Sequence, residues 1–224
     1  GGEEVNLRPY RRSRKLTREL YPPFGARFAI EQNGVMPFRI LTVCTGNICR
    51  SPAMDLLLAH ELRDDRRFAV SSAGTHAEVG WPVNPPMDRM LSDRGIDVRN
   101  FAARQATRDI LSSSELIVTA TQQHRAWVTD EEPRSVRRAF TLTEFADAIE
   151  GAPAGLTAAE LVAWAAAHRP ALRVRSLGSP MRRGYDEGDI LDPYGRGDAA
   201  YAGALAQIDP LVERVAAALR ATAG

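Results

Sequence analysis

From residue 38 onwards, short apolar runs alternate with segments in which apolar residues recur at helical spacing. The apolar runs predict buried β-strands, and the periodic segments predict helices with one apolar face. The predicted strands are 38–43, 68–74, 115–121 and 137–142, and the predicted helices are 51–63, 85–95, 143–151, 157–169 and 198–223. Because strands and helices alternate, we expect an α/β fold: a parallel sheet of four strands, flanked by helices on both faces.

Two of the predicted helices carry residues that mark helix boundaries. Pro85 stands at the start of its helix and Gly95 just past its end, which is the usual placement of these two residue types. Pro210 lies within the C-terminal helix and predicts a kink or a break there.

The first 37 residues lack this periodicity and differ in charge from the rest of the chain. Residues 8–20 carry six basic side chains and one acidic one. Such a segment is either an arm for an anionic partner or a disordered flank, and we predict a basic, disordered N-terminal flank. We expect one domain over 38–224, with an insertion around 146–189. Residues 173–189 of that insertion contain four arginines and form either a lid or a long surface loop.

The overall composition excludes several classes of protein. Lys and Arg number 29 and Asp and Glu 28, so the formal net charge of +1 gives no global attraction to nucleic acid or membranes. We therefore expect neither as a partner, with the basic flank as a weak exception for nucleic acid. The polar, Arg-rich start lacks the apolar core of a signal peptide, and two cysteines do not make a disulfide framework. We expect a cytoplasmic location.

Both cysteines lie in the stretch VCTGNICRSP, residues 43–52, directly after the first predicted strand. A strand, a glycine-containing loop and a helix that begins near Ser51 form an arrangement in which backbone N–H groups converge on phosphate. The Lys-Ser/Thr pair of a nucleotide-binding loop is missing from this stretch. We therefore expect a phosphate-binding loop of another kind after the first strand.

The side chains of this loop add reactive chemistry to phosphate binding. The thiolate of Cys44 can attack phosphorus, and the guanidinium of Arg50 can bind two phosphate oxygens at once. Gly46 allows the backbone to approach an anion, and Asn47 suits a left-handed backbone position. Ser51 can donate its hydroxyl to the Cys44 sulfur, which favours the thiolate.

The stretch CTGNICRSP resembles the signature of the low-molecular-weight protein tyrosine phosphatases of bacteria and other organisms. SSAGT at 71–75 and DPYG at 192–195 resemble the same family. The resemblance implies a four-stranded parallel sheet, hydrolysis of phosphotyrosine in proteins through a cysteinyl-phosphate intermediate, and neither metal nor cofactor. It implies three catalytic residues: Cys44 as nucleophile, Arg50 as oxyanion clamp and Asp192 as general acid and then base. The residues expected to bind phosphate or substrate are Thr45, Gly46, Asn47, Ile48, Cys49, Ser51 and Tyr194.

The chain departs from the family pattern around the expected pocket. A second tyrosine often follows the first in the family, whereas Gly195 follows Tyr194 here. His76–Glu78 occupy positions where many members place an aromatic residue, so His76 and Trp81 are candidates for the pocket rim.

Several assignments stay open on the residues alone. Asp186 and Asp189 are the fallback acids. Cys49 either forms a protective disulfide with Cys44 under oxidation or packs as a small buried residue.

Three other functions are compatible with the same loop. One is a phosphatase of small phosphate esters, which the altered rim favours. A second is a thiol-dependent arsenate reductase, although related reductases use further cysteines and this chain has only two. The third is a phosphate-binding module without activity, for which the combination of Cys44, Arg50 and Asp192 would be unusual. The expected partners are accordingly a phosphotyrosine protein or a small phosphate ester, and phosphate ion.

Overall fold

A computed structural model describes residues 36–169, 186 and 188–224. Its centre is one parallel sheet of four strands in the order β2-β1-β3-β4. The strands are β1 Phe38–Cys44, β2 Phe68–Gly74, β3 Leu116–Thr119 and β4 Ala139–Thr141. The predicted α/β fold with a four-stranded parallel sheet is therefore confirmed.

Seven α-helices are found among the described residues. They are α1 Arg50–Glu61, α2 Pro85–Ser92, α3 Arg108–Ser112, α4 Gln122–Glu131, α5 Leu142–Ala148, α6 Ala158–Ala167 and α7 Asp198–Arg220. Thr121, Thr141 and Thr157 each accept a backbone N–H at the start of a helix, so side chains fix where α4, α5 and α6 begin. None of these helices is both long and apolar enough to cross a membrane.

Alternate residues of the strands face two separate cores. Ile40 and Phe140 belong to the larger core with α1, α2, α5 and α7, whereas their neighbours Leu41 and Ala139 belong to the smaller core beneath α3 and α4. Because successive side chains of a strand point to opposite faces, helices cover both faces of the sheet.

Sequence periodicity identified five of the seven helices and missed the other two. It gave no signal for α3, which has five residues, or for α4, which is polar along most of its length. Pro210 predicted a kink or a break in the C-terminal helix. The prediction of a break is wrong, because α7 continues through this residue. Pro210 is exposed, so its ring faces solvent rather than the core.

The carboxyl ends of the four parallel strands meet at one edge of the sheet. Cys44 at the end of β1 is in register with Gly74 at the end of β2, and Thr119 of β3 is in register with Thr141 of β4. The segment before α7 reaches the same edge, because Ile190 N–H donates to the carbonyl of Ala120, just after β3. The loops that carry the candidate site therefore lie together.

The predicted domain boundaries stay predictions. Residues 1–35 of the predicted flank, and residues 170–185 and 187 of the predicted insertion, lie outside the described residues. The candidate lid at 173–189 falls mainly on those residues, and α6 is the described helix of the insertion.

Candidate active site

The residues between β1 and α1 form a tight loop at the end of the central strand. Cys44 is the last residue of β1, and Arg50 is the first residue of α1. Both residues are buried: Cys44 is 2% exposed and Arg50 is 4% exposed. The first N–H groups of α1 have no partner within the helix, as at every helix start, and such groups attract an anion.

The carbonyl groups of this loop are bound by the segment that follows β2. The carbonyls of Thr45, Gly46 and Ile48 accept hydrogen bonds from backbone N–H groups of residues 76, 78 and 84, at 2.8 to 3.0 Å. Because these carbonyls are held on one side, the loop's own N–H groups are left for the other side. The loop is thereby built as a cradle of donors, which is the chemistry that a phosphate group requires.

Asn47 fixes the loop from inside. Its φ of 54° is the left-handed conformation that Asn tolerates better than most residues. Its side-chain amide donates to Ser51 Oγ at 2.9 Å and accepts from Arg104 N–H at 2.9 Å, and the residue has no exposed surface. Asn47 therefore shapes the loop rather than facing solvent.

The hydroxyl of Ser51 lies 2.9 Å from the sulfur of Cys44. Ser51 Oγ already accepts a proton from the Asn47 amide, so its own proton is available for another acceptor. The carbonyl of Ala73 is 3.4 Å away, which makes the Cys44 sulfur the nearer acceptor. This arrangement stabilises a negative charge on sulfur.

Gly74 allows the second strand to pass close to the loop. A Cβ atom at this position would lie 2.3 Å from the carbonyl oxygen of Thr45, which no side chain can occupy. By contrast, a Cβ on Gly46 would make ordinary contacts, the shortest at 3.4 Å to Ile48 Cγ1. Gly74 is thus a residue of the site. In the sequence it stood out only as one position of the SSAGT stretch.

Arg50 and Asp192 meet across the mouth of the loop. Arg50 Nη2 lies 2.9 Å from Asp192 Oδ2, and Arg50 Nη1 donates to the carbonyl of Ile190 at 3.2 Å. The Arg50 side chain is 5% exposed, whereas that of Asp192 is 35% exposed. The carboxylate therefore lies between the buried guanidinium and solvent.

Asp189 fastens the loop that carries Asp192. Its carboxylate accepts the N–H of Gln122 at 2.8 Å and that of Asp186 at 3.0 Å, and only 6% of the residue is exposed. Burial raises the pKa of Asp189 above its usual range. Of the two fallback acids, Asp189 is therefore an internal anchor at the start of α4, and Asp186 is exposed and binds it through its backbone N–H, whereas Asp192 stands beside Arg50.

The second cysteine is buried against α7. Cys49 is 4% exposed and its thiol donates to the hydroxyl of Tyr201 in α7 at 3.7 Å. Burial raises the pKa of Cys49 to about 12, so this thiol stays protonated at neutral pH. Tyr201 is a neighbour of the site for which the sequence gave no signal.

The candidate rim residues His76, Trp81 and Tyr194 are exposed. Tyr194 is 56% exposed and its backbone N–H donates to Asp192 Oδ1 at 3.2 Å. Trp81 is 54% exposed, and His76 donates its backbone N–H to Thr45. His124 of α4 also contacts the loop, through the hydroxyl of Thr45, and no sequence motif indicated this contact.

A donor loop with a buried cysteine and arginine, after the first strand of a parallel sheet, is the arrangement of cysteine-dependent phosphatases. The family model for low molecular weight phosphotyrosine protein phosphatases matches residues 39–157. The chain therefore belongs to that family, and it is a cysteine-dependent phosphatase.

Individual relatives of this chain act on different phosphorylated residues, according to their names. EpsP of Ralstonia nicotianae, a probable low molecular weight protein-tyrosine-phosphatase, is 33% identical over 105 residues, which are 47% of this chain and 70% of EpsP. A protein-arginine-phosphatase of Geobacillus stearothermophilus is 30% identical over 116 residues, which are 52% of this chain and 76% of the relative.

Solved structures of the family share the fold. The YwlE arginine phosphatase from Geobacillus stearothermophilus aligns with a TM-score of 0.60 and 25% identity, over 82% of this chain and 94% of that one. The tyrosine phosphatase Wzb from Escherichia coli K30, in complex with sulphate, aligns with a TM-score of 0.57 and 19% identity, over 81% of this chain and 98% of that one.

Proposed function

We propose that this chain hydrolyses phosphotyrosine in proteins, with Cys44 as nucleophile, Arg50 as clamp and Asp192 as proton donor and acceptor. The observation that carries the proposal is a pair of contacts in one loop: Ser51 Oγ at 2.9 Å from the buried Cys44 sulfur, and Asp192 at 2.9 Å from Arg50 at the mouth. Together these contacts support the assignment of a nucleophile, an anion clamp and an acid around one loop.

In the first step, the Cys44 thiolate attacks phosphorus and the bond between phosphorus and the tyrosine oxygen breaks. Arg50 and the backbone N–H groups of residues 45–50 hold the oxygens that gain negative charge. Asp192, protonated, gives its proton to the leaving oxygen. The incoming phosphate takes the place of the Asp192 carboxylate at Arg50, because both are anions that compete for one guanidinium.

In the second step, a water molecule attacks phosphorus in the cysteinyl-phosphate. Asp192, now a carboxylate, takes the proton of that water, and the bond between sulfur and phosphorus breaks. Cys44 leaves as a thiolate that the hydroxyl of Ser51 stabilises. Inorganic phosphate leaves and Asp192 is again protonated, so the cycle needs neither metal nor cofactor.

A second candidate substrate is phosphoarginine. The match to a protein-arginine-phosphatase at 30% identity, over 76% of that protein, supports it. The same steps apply, except that a P–N bond breaks and Asp192 protonates nitrogen.

The domain and its location complete the proposal. We place the phosphatase domain at 38–224 with an insertion around 146–189, which is supported by the packing of α7 on α1 and α5. Cys44 and Cys49 are both free thiols, which supports a reducing, cytoplasmic setting.

The test compares three substrates, with EDTA present: p-nitrophenyl phosphate, a phosphotyrosine peptide and a phosphoarginine peptide. The enzymes are the wild type and Cys44→Ser. We expect the wild type to hydrolyse the phosphotyrosine peptide and Cys44→Ser not to hydrolyse it. Hydrolysis of phosphoarginine at a higher kcat/KM would favour the second candidate, and hydrolysis of p-nitrophenyl phosphate without either peptide would favour a small-ester phosphatase. Activity in Cys44→Ser would contradict the mechanism.

A further inference from the structure

His124 links the phosphate loop to the start of α4 through both of its ring nitrogens. Its Nε2 lies 2.8 Å from Thr45 Oγ1, and its Nδ1 lies 2.8 Å from Thr121 Oγ1. The backbone N–H of His124 also donates to Thr121 Oγ1, at 3.2 Å. Only 6% of the residue is exposed. This imidazole is thus held on two sides, immediately next to the residue that follows the nucleophile.

We assign the ring proton of His124 to Nε2. In this assignment Thr121 Oγ1 accepts the backbone N–H of His124 and donates its own proton to Nδ1, which lies 2.8 Å away. Nδ1 therefore accepts, and in a neutral imidazole the proton is then on Nε2. The ring is neutral because burial and the nearby Arg50 lower the pKa of His124 to about 3. Nε2 accordingly donates to Thr45 Oγ1.

Thr45 consequently keeps its own hydroxyl proton for another acceptor. Thr45 is exposed, whereas residues 47–50 of the same loop are buried. Thr45 therefore lies on the open side of the loop, with its hydroxyl bound on one side by His124. The leaving group of a substrate also lies there, since the Cys44 sulfur that attacks phosphorus is buried at the bottom.

We propose that His124 is a positioning residue that fixes the hydroxyl of Thr45 as a hydrogen-bond donor to the leaving group of the substrate. The proposal rests on the phosphatase function proposed above. The Thr45 hydroxyl differs from the backbone N–H groups of the cradle, because it binds the leaving group and not the phosphoryl oxygens. Removing it lowers kcat/KM for an ester and leaves the inhibition constant of inorganic phosphate nearly unchanged.

The kinetic test is a double-mutant cycle with p-nitrophenyl phosphate and a phosphotyrosine peptide. Thr45→Val removes the hydroxyl at constant shape. His124→Asn retains an acceptor near the Nδ1 position but is too short to donate to Thr45. Each variant is expected to lower kcat/KM about tenfold, the value of one hydrogen bond in the transition state, and the double variant is expected to be no worse than either.

A rescue variant and matched controls separate positioning from general damage. His124→Gln carries an amide that reaches the Nε2 position, so it is expected to restore most of kcat/KM. Thr129→Val, in the same helix, and His168→Gln, at the end of α6, are the controls; the Thr129 hydroxyl donates to the carbonyl of Ala126. Additive losses of about a hundredfold in the double variant, or a tenfold weaker phosphate inhibition in Thr45→Val, would overturn the proposal.

A spectroscopic test does not depend on turnover. Nitrogen-15 NMR of the histidine ring is expected to show the proton on Nε2, with no titration between pH 5 and pH 8. A proton on Nδ1, or titration in that range, would overturn the proposal even if the chain is an active phosphatase. If instead the wild type lacks phosphatase activity while Nε2 carries the proton, the proposed function and the role of Thr45 towards a leaving group both fail, and the hydrogen bond alone stands.

Discussion

The guanidinium of Arg50 forms an ion pair with the carboxylate of Asp192, with 2.9 Å between Nη2 and Oδ2. The two residues are 142 positions apart in the sequence, and Arg50 also binds the backbone of Ile190 in the segment before Asp192. One buried arginine therefore holds the backbone of the acid loop while it pairs with the acid itself. In the proposed mechanism, a phosphate that binds Arg50 frees Asp192 for proton transfer, which would couple substrate binding to the readiness of the acid.

The first prediction concerns the role of Asp192 as acid. We expect Asp192→Asn to lower kcat by about 10²–10⁴-fold, the usual contribution of a positioned acid, because the amide cannot protonate the leaving group. The loss is expected to be larger for phenyl phosphate than for p-nitrophenyl phosphate, whose leaving group needs the proton less. Steady-state kinetics with both esters measure this difference.

Two further measurements complete that test. The inhibition constant of vanadate is expected to stay within a few-fold, because Arg50 and the loop remain. Asp198→Asn is the matched control, since Asp198 pairs with Arg89 on the surface. An Asp192→Asn enzyme as active as the wild type would place the acid elsewhere.

The sequence predicted the part of the site that is local in the chain. Cys44 and Arg50 are six residues apart, so one short stretch defines the loop together with the strand and the helix that hold it. The position of Asp192 followed only from the resemblance of DPYG to the family motif, because nothing in its local pattern indicates that it folds back onto Arg50.

The residues that the sequence did not reveal act through tertiary contacts. His124 lies in a polar helix whose pattern gave no signal, and it reaches Thr45 over 79 positions. Tyr201 looks like an ordinary core residue of α7, and only its contact with Cys49 relates it to the site. Such contacts depend on how strands and helices pack, which local periodicity does not determine.

The second prediction concerns the hydroxyl of Ser51. We expect Ser51→Ala to slow the inactivation of Cys44 by iodoacetate at pH 6, because the thiolate loses its 2.9 Å hydrogen-bond partner. The kcat is expected to fall as well, since the same thiolate is the leaving group of the second step. Mass spectrometry of the labelled protein and steady-state kinetics measure the two effects.

Ser71→Ala is the control for that experiment. Ser71 lies in the neighbouring strand β2, and its hydroxyl donates to the carbonyl of Ile40 at 3.5 Å, away from the loop. Equal labelling rates in the wild type and Ser51→Ala would show that the hydroxyl does not stabilise the thiolate.

The third prediction compares two glycines. Gly74→Ala places a Cβ 2.3 Å from the Thr45 carbonyl oxygen, so the loop or the strand must move. We expect the free energy of unfolding to fall by about 1–3 kcal/mol and the activity to fall with it. Gly203 lies in α7 with open space around the position of a Cβ, so Gly203→Ala is expected to raise the free energy of unfolding by about 0.4–1 kcal/mol. Urea unfolding measures both changes, and a Gly74→Ala protein of wild-type stability would contradict the close approach.

The last prediction concerns stability at acid pH and follows from the neutral state of His124. Burial and the charge of Arg50 hold the pKa of His124 at about 3 in the folded chain, whereas an unfolded histidine titrates near 6.5. Between these values the unfolded state binds the extra proton and the folded state does not. The contribution of His124 to stability is therefore complete above pH 6.5 and is lost as pH falls towards 3. Each pH unit in that window corresponds to roughly 1.4 kcal/mol, so a shift from pH 6.5 to pH 5 costs on the order of 2 kcal/mol.

Urea unfolding of the wild type, His124→Gln and the control His168→Gln at pH 7.5 and pH 5 measures the effect. The wild type and the control are expected to lose this stability, whereas His124→Gln is expected to lose less, because glutamine does not titrate. An equal loss in all three proteins would show that His124 is protonated in the folded chain at pH 5.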